Sequence, residues 1–178
     1  MADKGLWGIR AHAADKILAA GRGEPCALGR DFVEACRDLG PHGLYRVHGA
    51  MVDATGERFL KPAAPDAREL ARRAMRPFRY ADAAGGLLDS VAYSFAYIAN
   101  LDSGLLEFRR GYQGFPDPAN RYGTDELDGF YPLRTLAVYP LDALSDPDAI
   151  VADMRRTCDA EAARHPRLGL LPPHIFAP

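Results

Sequence analysis

The sequence predicts an α+β domain in which a largely antiparallel sheet with an interior hairpin is covered by about three helices. Three observations lead there. Apolar residues recur at helical spacing over 27–39 and 147–164, β-rich runs separated by turns recur over 5–20 and 93–112, and the latter runs are apolar on both faces. With 178 residues, the chain reads as one domain, 1–178, able to hide roughly 70% of its unfolded surface.

Gly5-Leu6-Trp7-Gly8-Ile9-Arg10-Ala11 and Asp15-Lys16-Ile17-Leu18-Ala19-Ala20 read as two strands around a turn at 12–14. Past the loop from Gly21 to Pro25, the apolar stripe of Leu28, Phe32, Val33, Cys36 and Leu39 predicts a helix over 27–39, stopped by Gly40-Pro41. Residues 43–52 alternate as a strand does and end at the turn Asp53-Ala54-Thr55-Gly56. A second helix is expected over 66–76, with Leu70, Ala71 and Ala74 inward and Arg68, Arg72, Arg73 and Arg76 in solvent.

Two β-rich runs then flank Asp102-Ser103-Gly104, and a three-residue loop with glycine in the left-handed position is a common antiparallel connection. That loop sets Ile98 opposite Phe108, Tyr97 opposite Arg109 and Ala96 opposite Arg110. One face then carries Ile98, Leu106 and Phe108, the other Tyr93, Phe95 and Leu105, so the hairpin belongs in the sheet's interior. A strand is expected next at 133–139. Asp146 caps a last helix with Pro147 at its first position and Ile150, Val151, Met154, Cys158 and Ala162 as its buried stripe. The Pro172-Pro173 break leaves 168–178 extended across the body.

The 22 basic and 24 acidic side chains give a net charge of −2, which supplies no field to gather phosphate backbones, so no nucleic-acid partner is expected. No run approaches the ~18 apolar residues that span a bilayer, and no membrane is expected. Three cysteines do not form the paired framework of a small secreted domain, and the start of the chain lacks an apolar leader. Both point to a reducing, cytoplasmic setting.

Gly5-Leu6-Trp7-Gly8-Ile9-Arg10, Asp15-Lys16, Pro25 and Leu28-Gly29 resemble a family of bacterial, viral and protist proteins. Its members begin Met-Gly-Thr-Arg-Gly and carry a Tyr-Asn-His-x-Asp-Ser-Tyr-Pro-x-Gly-Leu-Gly motif. Asp89-Ser90, Ala96-Tyr97-Ile98-Ala99-Asn100-Leu101-Asp102, Leu106-Glu107-Phe108 and Gly111-Tyr112 extend the resemblance in pieces over 5–112. It implies a fold but no established activity. Aligned on Pro25, the motif's Asn, His, Asp and Ser fall on Ala19, Ala20, Arg22 and Gly23, and a Cys-Glu pair falls on Tyr93-Ser94. A member so altered has lost or rebuilt any catalytic centre located there.

Two kinds of site compete. In the first, Arg109 on an interior strand must find a partner, because an unpaired buried charge costs several kcal/mol. That partner is either Glu107 or another carboxylate, or an anionic ligand held by Arg109 with Tyr97 alongside. Arg46 and His48, on one face of the 43–52 strand at ~7 Å, would be further binding residues. The long 113–131 loop is either disordered or a lid that brings Arg121 and Tyr122, with Asp125 and Asp128, over the pocket.

In the second, Cys26 at a helix start is a nucleophile with His12, His42 or His48 as its base, the pair Cys26 and His48 serving a hydrolase or acyl transferase. Cys36 and Cys158 belong to the core. No cofactor or metal is called for: six residues of strand hold His42 and His48 ~20 Å apart, Asp125 and Asp128 lack metal-loop spacing, and Gly21-Arg22-Gly23 is too short for a phosphate cradle. The leading expectation is a non-catalytic or catalytically altered binding domain for a small anionic molecule or a protein partner. A subunit with a purely structural role is the third.

Overall fold

The computed structural model describes residues 4–54 and 65–164. In chain order its elements are β1 (Gly5–Ala11), β2 (Ala14–Ala20), α1 (Arg30–Ala50), β3 (Met51–Asp53), α2 (Ala67–Arg73), β4 (Phe78–Tyr80), β5 (Phe95–Asn100), β6 (Leu105–Arg110), β7 (Arg134–Pro140) and α3 (Pro147–Arg164). Five strands form a sheet in the order β2-β1-β5-β6-β7, and β3 pairs with β4 as a separate ribbon. Within the large sheet β1 and β5 are parallel and all other neighbours antiparallel. The parallel pair needs a long crossover, and residues 21–94 supply it, carrying α1, α2 and the ribbon.

The β5–β6 hairpin is interior on both sides, as its two apolar faces require. On one face Trp7, Ile9, Phe95, Tyr97, Leu106 and Phe108 join Phe32, Val33, Cys36, Leu44 and Val47 of α1 and Ile150, Met154 and Cys158 of α3 in one buried cluster. On the other, Leu6, Ile17, Leu87, Ala96, Ile98 and Leu133 form a second, smaller cluster. Helices cover the first face. The second is roofed by the 3-10 turn Ala84–Leu87 and by parts of the 113–133 segment.

The predicted strand at 43–52 is helical through Ala50, and only its last two residues, Met51 and Val52, lie in a strand, β3. A π-helical turn, Pro25–Gly29, leads into α1, and Gly40 at φ 63° and ψ 173° interrupts that helix where the stop was expected. Pro41 then begins a second helical run, because its missing N–H costs nothing at a first position. Leu44, Val47, His48 and Ala50 are its buried residues, and the i, i+3, i+4 spacing of Leu44, Val47 and His48 is helical, which the shorter alternating pattern had masked. In α2, Leu70 is buried but Ala71 is exposed, contrary to expectation. In α3 the Asp146 carboxylate accepts from the N–H groups of Asp148 and Ala149 at 3.1 and 3.3 Å, and Glu161 rather than Ala162 completes the buried face. The 168–178 expectation lies outside the described residues.

Both sheet edges are blunted. Ala83 N donates to Ile17 O and Asp82 accepts from Ile17 N, covering β2, while β7 carries a one-residue bulge at Leu136 and ends in proline.

Lys16 crosses from β2 to the end of α1 and donates to the carbonyls of His48 and Met51 at 2.7 and 2.6 Å, a cation at the negative end of a helix. Beside it, His48 Nε2 lies 3.1 Å from Ala14 O. Burial lowers the His48 pKa, and the charges of Lys16 and His12 lower it further against the Ala14 bond, which raises it. The unfolded chain therefore takes up the proton first as pH falls below 6.5, and stability drops from there. Wild type is expected to lose more Tm between pH 7.5 and pH 5 than His48→Gln. An equal loss in both proteins would show that His48 is not responsible.

Candidate functional site

The hairpin loop is four residues long, 101–104, with Gly104 at φ 71°. This moves the register by one from the three-residue expectation: Tyr97 faces Phe108, Ala96 faces Arg109 and Phe95 faces Arg110. A slip of one residue changes which side chains share a face. Tyr97 and Arg109, expected together, stand on opposite sides of the sheet.

Tyr97 belongs to the helical side. Its ring stacks on Phe108 with centroids 5.5 Å apart, its hydroxyl donates to Gly23 O at 2.8 Å, and burial holds its pKa well above the usual value. Gly29 packs on that ring so closely that a Cβ would lie 2.8 Å from it. Arg46 is exposed on α1 with Nη2 3.3 Å from Met75 Sδ. Because Arg46 and His48 are two residues apart on a helix, ~200° around its axis, the shared face expected for them does not exist. Arg110 points to the helical side, where Nη1 donates to Cys158 O at 3.1 Å.

On the opposite face Arg109, Arg121 and Tyr122 do converge, around a carboxylate supplied by the chain itself. Arg109 Nε donates to Glu107 Oε2 at 3.0 Å, and its Nη1 to Leu133 O at 2.9 Å and Asn120 Oδ1 at 3.2 Å. The other Glu107 oxygen accepts from Arg121 Nη1 at 2.5 Å and from Asn100 Nδ2 at 2.7 Å. Both guanidinium carbons lie 4.7 Å from the Tyr122 ring centroid, and Arg121 Nη2 donates to the Tyr122 hydroxyl at 2.8 Å. The network continues through Asp15, 3.8 Å from Arg121, to Arg10, which reaches Asp15 at 2.6 Å and Asp102 at 3.6 Å. Three arginines thus meet three carboxylates.

The burial is deep. The side chains of Arg109 and Glu107 are 4% and 7% exposed, that of Arg121 26%. Burial alone would raise the Glu107 pKa, but hydrogen bonds from Arg121 and Asn100 and the Arg109 charge hold it below 4.5. The stability this carries is present above pH 4.5 and is lost as pH falls through the lowered value. Burial also pushes the Tyr122 hydroxyl up to about 12.

No family model, curated protein or solved structure matches this chain. Its own geometry carries the functional reading.

Cys26 is exposed in the π-helical turn beyond the β2 end at Ala20. His48 sits at the other end of that strand, against Ala14, and His12 packs on Tyr45 with centroids 5.8 Å apart. Seven residues of strand span ~20 Å, so the structure does not bring Cys26 to His48 or His12. His42 is exposed on α1. Burial pushes the Cys158 thiol up to about 12 and that of Cys36 higher still, as suits core residues. Among the described residues no group of three or more His, Cys, Asp and Glu could hold a metal ion.

Sequence reasoning missed Asn100, Asn120, Asp15 and Arg10, for which spacing offers no clue. It also missed a hairpin inside the long loop, which it could have found. Leu127 and Phe130 exchange hydrogen bonds of 2.7 and 3.0 Å around Asp128 and Gly129, both at positive φ, and Asp-Gly is a strong signal for that turn.

Proposed function

We propose that this chain is a non-catalytic binding domain whose partner is a protein, engaged by the outer surface of residues 113–131. One observation carries the reading: the segment is pinned to the sheet through Asn120, Arg121 and Tyr122, while Phe115, 63% exposed, and Leu127, 45% exposed, are left open to solvent. Exposed Asp125, Glu126 and Asp128 surround Leu127. An exposed apolar side chain on a hydrogen-bonded turn ringed by charge is the composition of a recognition patch, since the turn's own hydrogen bonds lower the entropy lost on binding. The anion-pocket version has less support, because Glu107 already occupies the place beside Arg109 that a ligand's anionic group would take.

Affinity enrichment from extracts of the source cell, comparing wild type with a Leu127→Ser, Glu126→Lys variant of equal Tm, tests this. The expected result is a protein whose recovery falls at least about tenfold with the variant and whose purified form binds wild type directly, the loss expected for a central contact. Thermal stabilisation by an anionic metabolite, abolished in Arg121→Ala, would overturn the reading in favour of a small ligand. Acylation of Cys26 faster than a free thiol at neutral pH would overturn it in favour of an enzyme.

A further inference from the structure

Residues 114–130 reach the sheet through side chains alone. Among the described residues their backbone hydrogen bonds stay within the segment: Asn120 to Asp117, Gly123 to Asn120, and the Leu127–Phe130 pair. The Gln113–Tyr131 bridge closes its base. Its attachments to the sheet are few. Arg121 bonds Glu107, Asn120 lies between Arg109 Nη1 and Leu133 O, Tyr122 packs against Arg109, and Asp117 stands 3.8 Å from Arg134. Tyr122 also rests on the second core cluster of Leu6, Ile98 and Leu133.

The two halves of the central ion pair differ in what holds them. Glu107 belongs to an interior strand and keeps Arg109 and Asn100 as donors whether or not Arg121 is present. Arg121 belongs to the loop, and its other contacts are Tyr122, its own neighbour, and Asp15 at 3.8 Å. Loss of the pair therefore leaves Glu107 satisfied and removes the loop's ion pair with a carboxylate of the central strands, so that Asn120, Tyr122 and the longer Asp117–Arg134 contact are left to hold it.

We propose that residues 114–130 form a strap latched by the Arg121–Glu107 ion pair, and that undoing this pair lifts the strap and uncovers the apolar floor beneath Tyr122. The inference goes beyond the recognition reading and depends only on the latch. Its test needs no partner, so either idea can fail alone.

Hydrogen exchange followed by mass spectrometry on the whole chain compares wild type, Arg121→Ala, Arg121→Lys and the surface control Arg72→Ala. In Arg121→Ala, amides of 114–130 are expected to exchange about tenfold faster or more, while β5, β6 and α3 stay as protected as in wild type. The lysine variant keeps a charge but not the planar fork, so it falls between. Strap exchange unchanged in Arg121→Ala would overturn the proposal. So would acceleration spread equally over β5 and β6, since Arg121 would then support the whole fold rather than a strap.

Discussion

Glu107→Ala is expected to remove about 3–5 kcal/mol of stability in urea unfolding, the effect of leaving a buried guanidinium without its counter-ion. Arg109 is the residue stranded: its Nε loses its acceptor, and Leu133 O and the Asn120 amide carry no formal charge to replace the carboxylate. Burial already works against the charge on Arg109, and Glu107 is the strongest influence restoring it. The comparison with Arg121→Ala is decisive. That change removes a partly exposed cation from the same carboxylate and is expected to cost about 1 kcal/mol or less. Equal losses in the two variants would mean that the network acts at the surface and that Arg109 is reached by water.

The second large effect belongs to Phe108→Ala, expected to cost about 3–5 kcal/mol by the same measurement. Phe108 is fully buried where strands and helices meet, stacked on Tyr97 and on Phe95 with centroids 5.5 and 6.0 Å apart. Its two neighbours are held: Tyr97 by the bond to Gly23 O and by Gly29 against its ring, Phe95 by pairing with both β1 and β6. A cavity walled by rings that cannot move keeps its full cost. A loss under about 1.5 kcal/mol would show that the rings close the gap after all, as well-tolerated core changes do.

Glu107 and Phe108 are adjacent on one strand and face opposite ways, so which face each takes depends on register. That β5 and β6 form an interior hairpin is legible in the composition, because two apolar faces require cover on both. The register is not. Asp102-Ser103-Gly104 suits a three-residue loop, but Leu101 joins the turn, its amide donating to Arg10 O across the strand end. That contact comes from β1, which is remote in sequence. Moving the register by one separated Tyr97 from Arg109 and set Glu107 and Arg109, which share a face in any register, opposite Ile98 and Ala96.

The 43–52 segment shows the same division. Gly40-Pro41 reads as an end, and Gly40 does break the helix. The conformation of the residues after Pro41 is weakly determined locally, since Leu44 and Val47 share a face only in a helix while the run 43–52 as a whole also alternates as a strand does. Packing against the β1–β2 turn chose the helix, with Lys16 capping its carbonyls and His48 meeting Ala14. Tertiary contacts overrode a weak local pattern.

By itself the sequence determined the α+β class, the N-terminal hairpin, the last helix with its Asp146-Pro147 start, and the need of an interior arginine for a counter-charge. These depend on patterns that repeat within a few residues. The tertiary structure alone decided which carboxylate answers Arg109, that Tyr97 faces away from it, and that Arg121 and Tyr122 come down from a distant loop to complete the network. Those outcomes depend on register and on the meeting of segments far apart in the chain, where one residue's shift reverses a side chain and no local spacing records the choice.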